Sequence, residues 1–272
     1  MAHEILTIST DEKFAGSLRY VLRRLAGFIK SEKVSVRMLK KDKRTSLVVV
    51  LNDVSSVVTI KRLGNTIIDC LADVVVTDCK AYYIESSLKL PIDDEISRHA
   101  FIMALSNFDS DTDKTIARSL IRLTPNFLLD SFYQFMIDDL KVRWNEVCSL
   151  ANENACYLAC AGTFRELLRF LISNLESRER EVHLFQRPDG MEFLTGGLKP
   201  INNIYINEDL PPDVQIVNKL ISIAPKKIYL HCDNKDNNGD NDGNNGGKNC
   251  TRTSLVNYIQ SLFSGCVQIV RN

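Results

Sequence analysis

Residues 124–177, TPNFLLDSFYQFMIDDLKVRWNEVCSLANENACYLACAGTFRELLRFLISNLES, decide the fold class. Their apolar residues recur at spacings of three and four, which predicts two consecutive amphipathic helices, Pro125–Leu150 and Ala155–Leu175. Thr124 is placed to cap the first, and Pro125 sits where a first-turn proline is tolerated. Leu129, Tyr133, Met136, Leu140, Trp144, Val147 and Ala151 form one stripe; Asp130, Gln134, Asp138, Lys141, Asn145 and Ser149 form the opposite one. The second helix sets Tyr157, Cys160, Phe164, Leu168, Leu171 and Leu175 against Arg165, Arg169, Ser173 and Glu176. These are core-forming faces and carry no catalytic motif.

Upstream, Glu4–Ile8 reads as a strand, and Ser9 with Glu12 has the spacing of a capping box. Phe14, Leu18, Val21, Leu25 and Phe28 then give a helix its buried face. Val34–Leu39 and Ser46–Leu51 are β-rich around the polar connection Lys40–Thr45, which predicts a hairpin. Leu63–Leu88 is helical in period, although its valine-rich centre also suits a strand. Pro91 ends it, and Asp93, Asp94 and Glu95 place negative charge at the start of a helix running to about Phe108. Asp109–Asp113 reads as a loop and Lys114–Leu123 as a short helix.

Downstream of Arg178 the period changes to that of strands. Val182–Gln186 and Met191–Leu194 flank the turn Arg187-Pro188-Asp189-Gly190. A helix starts at Pro211 or Pro212 and ends at Pro225. Lys227–Leu230 is then a strand, Thr251–Phe263 a helix and Val267–Val270 a strand. Strand, helix, strand implies parallel pairing through right-handed crossovers. The fold class is α+β: an N-terminal β-α-β-β segment (1–60), a helical middle (61–177) and a C-terminal α/β segment (178–272). Whether the two ends share one mixed sheet is left open. Asp233–Asn249, built almost wholly of Asn, Asp, Gly and Lys, has nothing to bury and reads as a disordered insert. It is not a calcium loop. Setting the turn glycine at Gly239 or Gly243 puts Asn245 or Asn249 where glutamate is needed.

The totals narrow the function. Thirty-four basic residues balance 34 acidic ones, so the whole chain has no strong attraction to nucleic acid or an anionic membrane. No stretch is apolar enough for a membrane span, and Met1–Asp11 lacks signal-peptide architecture, so the expected compartment is the cytoplasm. The eight cysteines lie mostly within apolar patterns and read as reduced structural thiols. Cys156 and Cys160, one helical turn apart with Cys148 nearby, lack the tight paired spacing of a zinc site. No Gly-rich phosphate loop, GxSxG elbow or HExxH is present, and no cofactor is implied.

Two candidate sites remain. His231 and Cys232 sit at the carboxyl end of a parallel strand, where open α/β sheets place ligands. An enzyme there needs an acid within hydrogen-bond reach of the imidazole. His183 reads as solvent-facing, and Asp138 and Asp139 diverge by about 100° around their helix, so they do not form an acid–base pair. The second site is the basic cluster Arg37, Lys40, Lys41, Lys43 and Arg44 at the first hairpin, where a solvated turn is favoured over nucleic-acid contact.

Four stretches, in order, resemble the YtxC-like family of sporulation proteins from endospore-forming bacteria. They are Asn126-Phe127-Leu128-Leu129 through Asp138-Asp139-Leu140, Phe164-Arg165-Glu166-Leu167-Leu168-Arg169-Phe170, Val182 through Gly190, and Leu220 through His231. The resemblance covers about residues 125–231. The chain departs from the family in its Asn/Asp/Gly insert and in ending on Gly265-Cys266 without a further cysteine. What the resemblance implies is a setting, spore formation in a bacterial cytoplasm, with unidentified protein partners. It implies no reaction and no catalytic residue.

Overall fold

The computed structural model describes residues 3–31, 34–51, 57–89, 92, 94–155, 160–187, 190–202, 204–232 and 246–271. In chain order its elements are β1 (His3–Asp11), α1 (Ala15–Ser31), β2 (Val34–Lys41), β3 (Arg44–Leu51), α2 (Val57–Val74) and, after a π-helical turn at Val75–Cys79, α3 (Lys80–Ser87). There follow α4 (Glu95–Asn107), α5 (Ser110–Leu120), β4 (Asn126–Leu128), α6 (Leu129–Phe135), α7 (Asp138–Glu153) and α8 (Ala161–Ser173). The chain continues with β5 (Glu181–Arg187), β6 (Gly190–Thr195), α9 (Pro212–Ile223), β7 (Lys227–Cys232), α10 (Gly246–Leu262) and β8 (Val267–Arg271). This is an α+β protein. Its terminal strands form two separate mixed sheets, and the helices of the middle are shared between two compact units.

Unit 1 comprises Met1–Leu88, Asp109–Asn152 and Asn207–Asp209. Its sheet has the order β2-β3-β1-β4. Leu6 and Ile8 of β1 alternate inward beside Leu47 and Val49 of β3, and Leu18, Val21 and Leu25 of α1 are buried as their spacing predicts. The expected helix start at Ser9 is displaced. Ser9, Thr10 and Asp11 pair with Ser46, Thr45 and Arg44 instead, so the strand continues, and a 3-10 turn at Glu12–Phe14 leads into α1. The valine-rich centre of the next helix is neither regular helix nor strand but the π-helical turn, with Val75, Val76 and Cys79 buried. Asp109–Asp113, expected as a loop, enters α5 at Ser110.

The single helix Pro125–Leu150 is also corrected. Asn126, Phe127 and Leu128 pair in parallel with Thr7, Ile8 and Ser9, and the Thr7 N–H donates to the Pro125 carbonyl at 2.7 Å. Phe127 buries itself at the sheet's edge, and that tertiary gain outweighs weak local helix preference. The rest of the stretch forms α6 and α7.

Within unit 1, Lys80 and Asp113 are each nearly inaccessible, at 2% and 1% exposure. Lys80 Nζ lies 2.7 Å from Asp113 Oδ2. The same oxygen accepts from Trp144 Nε1 at 2.9 Å, and Asp113 Oδ1 accepts from Arg143 Nε at 3.1 Å. A carboxylate with three donors satisfies the rule that buried charges are paired. Burial still pushes the Lys80 ammonium below the usual lysine range, against the upward pull of Asp113.

Unit 2 comprises Lys89–Phe108, Glu153–Ile206 and Leu210–Asn272. Helix α4 is capped by Asp94, whose carboxylate accepts from the Ser97 N–H at 2.8 Å. All seven residues from Ala100 to Ser106 are buried, so this half of the helix is enclosed on every side, while Glu95 and Arg98 in its first turns are exposed. The sheet has the order β6-β5-β7-β8; β5, β7 and β8 run parallel, and β6 is antiparallel to β5. The expected parallel pairing is therefore present. Strands added successively in one direction by right-handed crossovers put α9 and α10 on the same face. Val182, Leu184, Phe193, Ile228 and Leu230 bury that face.

Helix α8 begins at Ala161, six residues later than expected, and residues 156–159 lie outside the described residues. Pro91, Asp93, Pro188 and Asp189 lie outside them too, as does most of the expected insert, 233–245; its remainder, 246–249, opens α10. Among the described residues no helix is long and apolar enough to cross a membrane.

Candidate functional site

The second face of the unit 2 sheet follows from strand alternation. With Val182 and Leu184 turned inward, His183 and Phe185 turn outward from β5; with Ile228 and Leu230 inward, Tyr229 and His231 turn outward from β7. The parallel register sets His183 opposite Tyr229 and Phe185 opposite His231. Neighbouring strands are about 4.8 Å apart, close to the spacing at which rings stack. Both opposed pairs stack, His183 on Tyr229 at 4.6 Å and 16°, and Phe185 on His231 at 4.0 Å and 7°.

On the diagonal, His183 Nδ1 and His231 Nε2 are 2.9 Å apart, a hydrogen bond in which one imidazole donates to the other. The bond needs a lone pair on one ring, so the pair holds at most one extra proton without losing it. Burial first, and the neighbouring His183 second, hold the His231 pKa below the usual histidine range. His231 Nδ1 is buried with no hydrogen-bond partner. The carboxylates on this face are matched to cations: Glu181 lies 3.5 Å from Lys227, and Glu192 lies 2.8 Å from Arg187. Among the described residues the group facing His231 is thus a second imidazole and not an acid. Chemically, the pair can pass a proton between rings or offer two nitrogen ligands. Among the described residues no group of three or more His, Cys, Asp or Glu is placed to hold a metal.

His183, read from the sequence as solvent-facing, is half-buried and bonded to His231. The side chain of Cys232 lies outside the described residues; its backbone pairs with Arg271. Cys148 is buried in α7 of unit 1, and its thiol is raised by burial. Cys160 is exposed in unit 2 at the start of α8, where hydrogen bonds from Thr163 lower its pKa. Cys156 lies outside the described residues. Cys70 and Cys79 are buried free thiols, in keeping with a structural role. Asp138 and Asp139 are both exposed at the start of α7, and Asp138 pairs with Lys141 at 3.0 Å.

The basic cluster lies in unit 1. Strands β2 and β3 extend further into the polar stretch than expected and close on Asp42 and Lys43, with Asp42 at φ +53°. Arg37, Lys40, Lys41, Lys43 and Arg44 are all exposed around this end of the hairpin. Arg44 is held at 2.7 Å by Asp130 from α6. No family model, curated protein or solved structure matches the chain.

Proposed function

We propose that this chain is a cytoplasmic protein of bacterial spore formation that acts through contacts with other proteins and catalyses no reaction. The resemblance of residues 125–231 to YtxC-like proteins supports the setting. The observation that carries the mode of action is the exposed cationic hairpin Arg37–Arg44, a concentration of positive charge on a chain whose total charge is balanced. Such a patch steers and selects a charged partner. The group within hydrogen-bond reach of His231 is His183, and among the described residues no acid reaches the imidazole to orient it, which supports the non-catalytic reading.

The test is a tagged full-length chain expressed in sporulating and vegetative cells of its host, with captured proteins compared. A reproducible partner lost on charge reversal at Arg37 and Lys41 is the expected result; capture of none in either state overturns the reading. Deleting the gene should lower heat-resistant spore counts and leave vegetative growth unchanged. A second reading, nucleic-acid contact through the same hairpin, is favoured by its five cations. It requires affinity for oligonucleotides that falls steeply with salt.

A further inference from the structure

We propose that the outer edge of β2 is a docking strand for an extended segment of a partner protein with the pattern acid-x-apolar-x-acid. The inference rests on the protein-contact reading above and names the surface and the partner's chemistry. Strand β2 is the edge of its sheet, with all eight residues paired to β3 on one side. Eight residues give an edge about 27 Å long. The opposite edge strand, β4, has only three.

Burial falls away along β2. Val34 is buried, Ser35 and Val36 are half-buried, and Arg37, Leu39, Lys40 and Lys41 are exposed. Leu39 is 52% exposed, an apolar side chain standing in water between two cations of the same face. Strand alternation puts Arg37, Leu39 and Lys41 on that face and Met38 and Lys40 on the other. An added strand places its own alternate side chains directly beside these, where opposite charges and apolar pairs attract. Carboxylates beside Arg37 and Lys41 with an aliphatic residue beside Leu39 complete the match.

Cations on an edge also serve to prevent edges from joining. That role excludes a second copy of this chain as the occupant, because residues 37–44 carry five cations against one acid, Asp42, a net +4 that repels itself. The same charge attracts an acidic strand. A phosphate backbone would use the cations but would leave Leu39 and the strand's outward N–H and C=O groups unmatched, so a peptide is the better occupant.

The probe is a fluorescein-labelled ten-residue peptide repeating Glu-Thr-Val-Thr, titrated with the full-length protein by anisotropy at low salt. Its backbone N-methylated form, methylated at alternate residues on the pairing edge, is the comparison. Binding should weaken at least tenfold on N-methylation, on raising salt to ~0.5 M, and in Arg37→Glu with Lys41→Glu, whose fold is checked by circular dichroism. Hydrogen exchange should show amides within Arg37–Lys41 gaining protection in the complex. Equal binding of the methylated peptide overturns strand addition, as does absence of binding at ~1 mM protein. Displacement by oligothymidine with no β2 protection assigns the patch to nucleic acid and overturns it too. If the tagged chain still captures its cellular partner after the double charge reversal, the edge is rejected and the protein-contact reading stands.

Discussion

Replacing Asp113 with asparagine tests whether the buried charge cluster holds unit 1 together. The carboxylate answers Lys80 at 2.7 Å, Trp144 at 2.9 Å and Arg143 at 3.1 Å, and Lys80 is only 2% exposed. Breaking a buried pair from one side costs about 3–5 kcal/mol. Asparagine still accepts a hydrogen bond from Trp144, so a cost of about 3 kcal/mol is expected, a large part of the ~5–15 kcal/mol by which domains are stable. The pH dependence follows from Lys80. Its folded pKa is lowered by burial, and the Asp113 charge works against that lowering. Without the charge the folded pKa drops further below the unfolded value of about 10.4. Between those two values the unfolded chain holds more protons, so stability rises with pH across the window. The window is wider in Asp113→Asn, and the variant's deficit therefore shrinks as pH rises through the part of it that the native protein lacks. Urea unfolding followed by fluorescence measures this directly, because Trp144 is the only tryptophan and belongs to the cluster. Lys80→Met with Asp113→Asn should recover most of the loss, because it removes the unpaired ammonium and keeps an acceptor for Trp144. A deficit below about 1 kcal/mol, or one that does not change with pH, would refute the reasoning.

Three further outcomes are expected. By NMR titration, His231 should titrate below the usual ~6.5 and rise toward it in His183→Gln while remaining below, since burial is the larger cause; no movement would argue against the imidazole bond. Because the folded pKa is lowered, the stability tied to His231 is complete above about pH 6.5 and should fade as pH drops through the folded value. Ala224→Gly should stabilise by about 0.5 kcal/mol and raise the melting temperature by about 1–2 °C, since Ala224 ends α9 at φ +47° and an L-residue there is strained. Ile228→Ala should cost about 3 kcal/mol, because Ile228 is fully buried in central strand β7; a loss under 1 kcal/mol would show that the sheet can close over the cavity.

The elements the sequence discloses are those whose signal is local. Val182, Leu184, Ile228 and Leu230 alternate in plain view, and Pro212 and Pro225 bracket α9, so β5, β7 and their crossover are readable. The β4 segment is not, because Phe127 and Leu128 suit a helix as well as a strand. Only a neighbouring strand 119 positions away, where Ile8 takes Phe127 as its partner, decides between them. The π-helical turn is hidden for a related reason: Val75 and Val76 fit any buried backbone, and their period does not distinguish one kind of helix from another. Lys80, a charge inside an apolar helical run, hints at a buried partner without naming Asp113, which local pattern assigns to a loop.

The same division separates the two candidate sites. The hairpin cations are contiguous in sequence, so a two-residue turn is enough to gather them, and the sequence alone locates the patch. The imidazole pair depends on two strands becoming neighbours and on their register, with His183 opposite Tyr229 and one diagonal step from His231. A shift by one residue would turn either ring to the other face and abolish the bond. Neither histidine carries that information by itself, which is why His231 could be singled out by its place at a strand end while its partner could not. The exposed edge of β2 is an intermediate case. Its charges and Leu39 are legible, but that they stand on an unpaired edge is a property of the order β2-β3-β1-β4, which no window of the sequence contains.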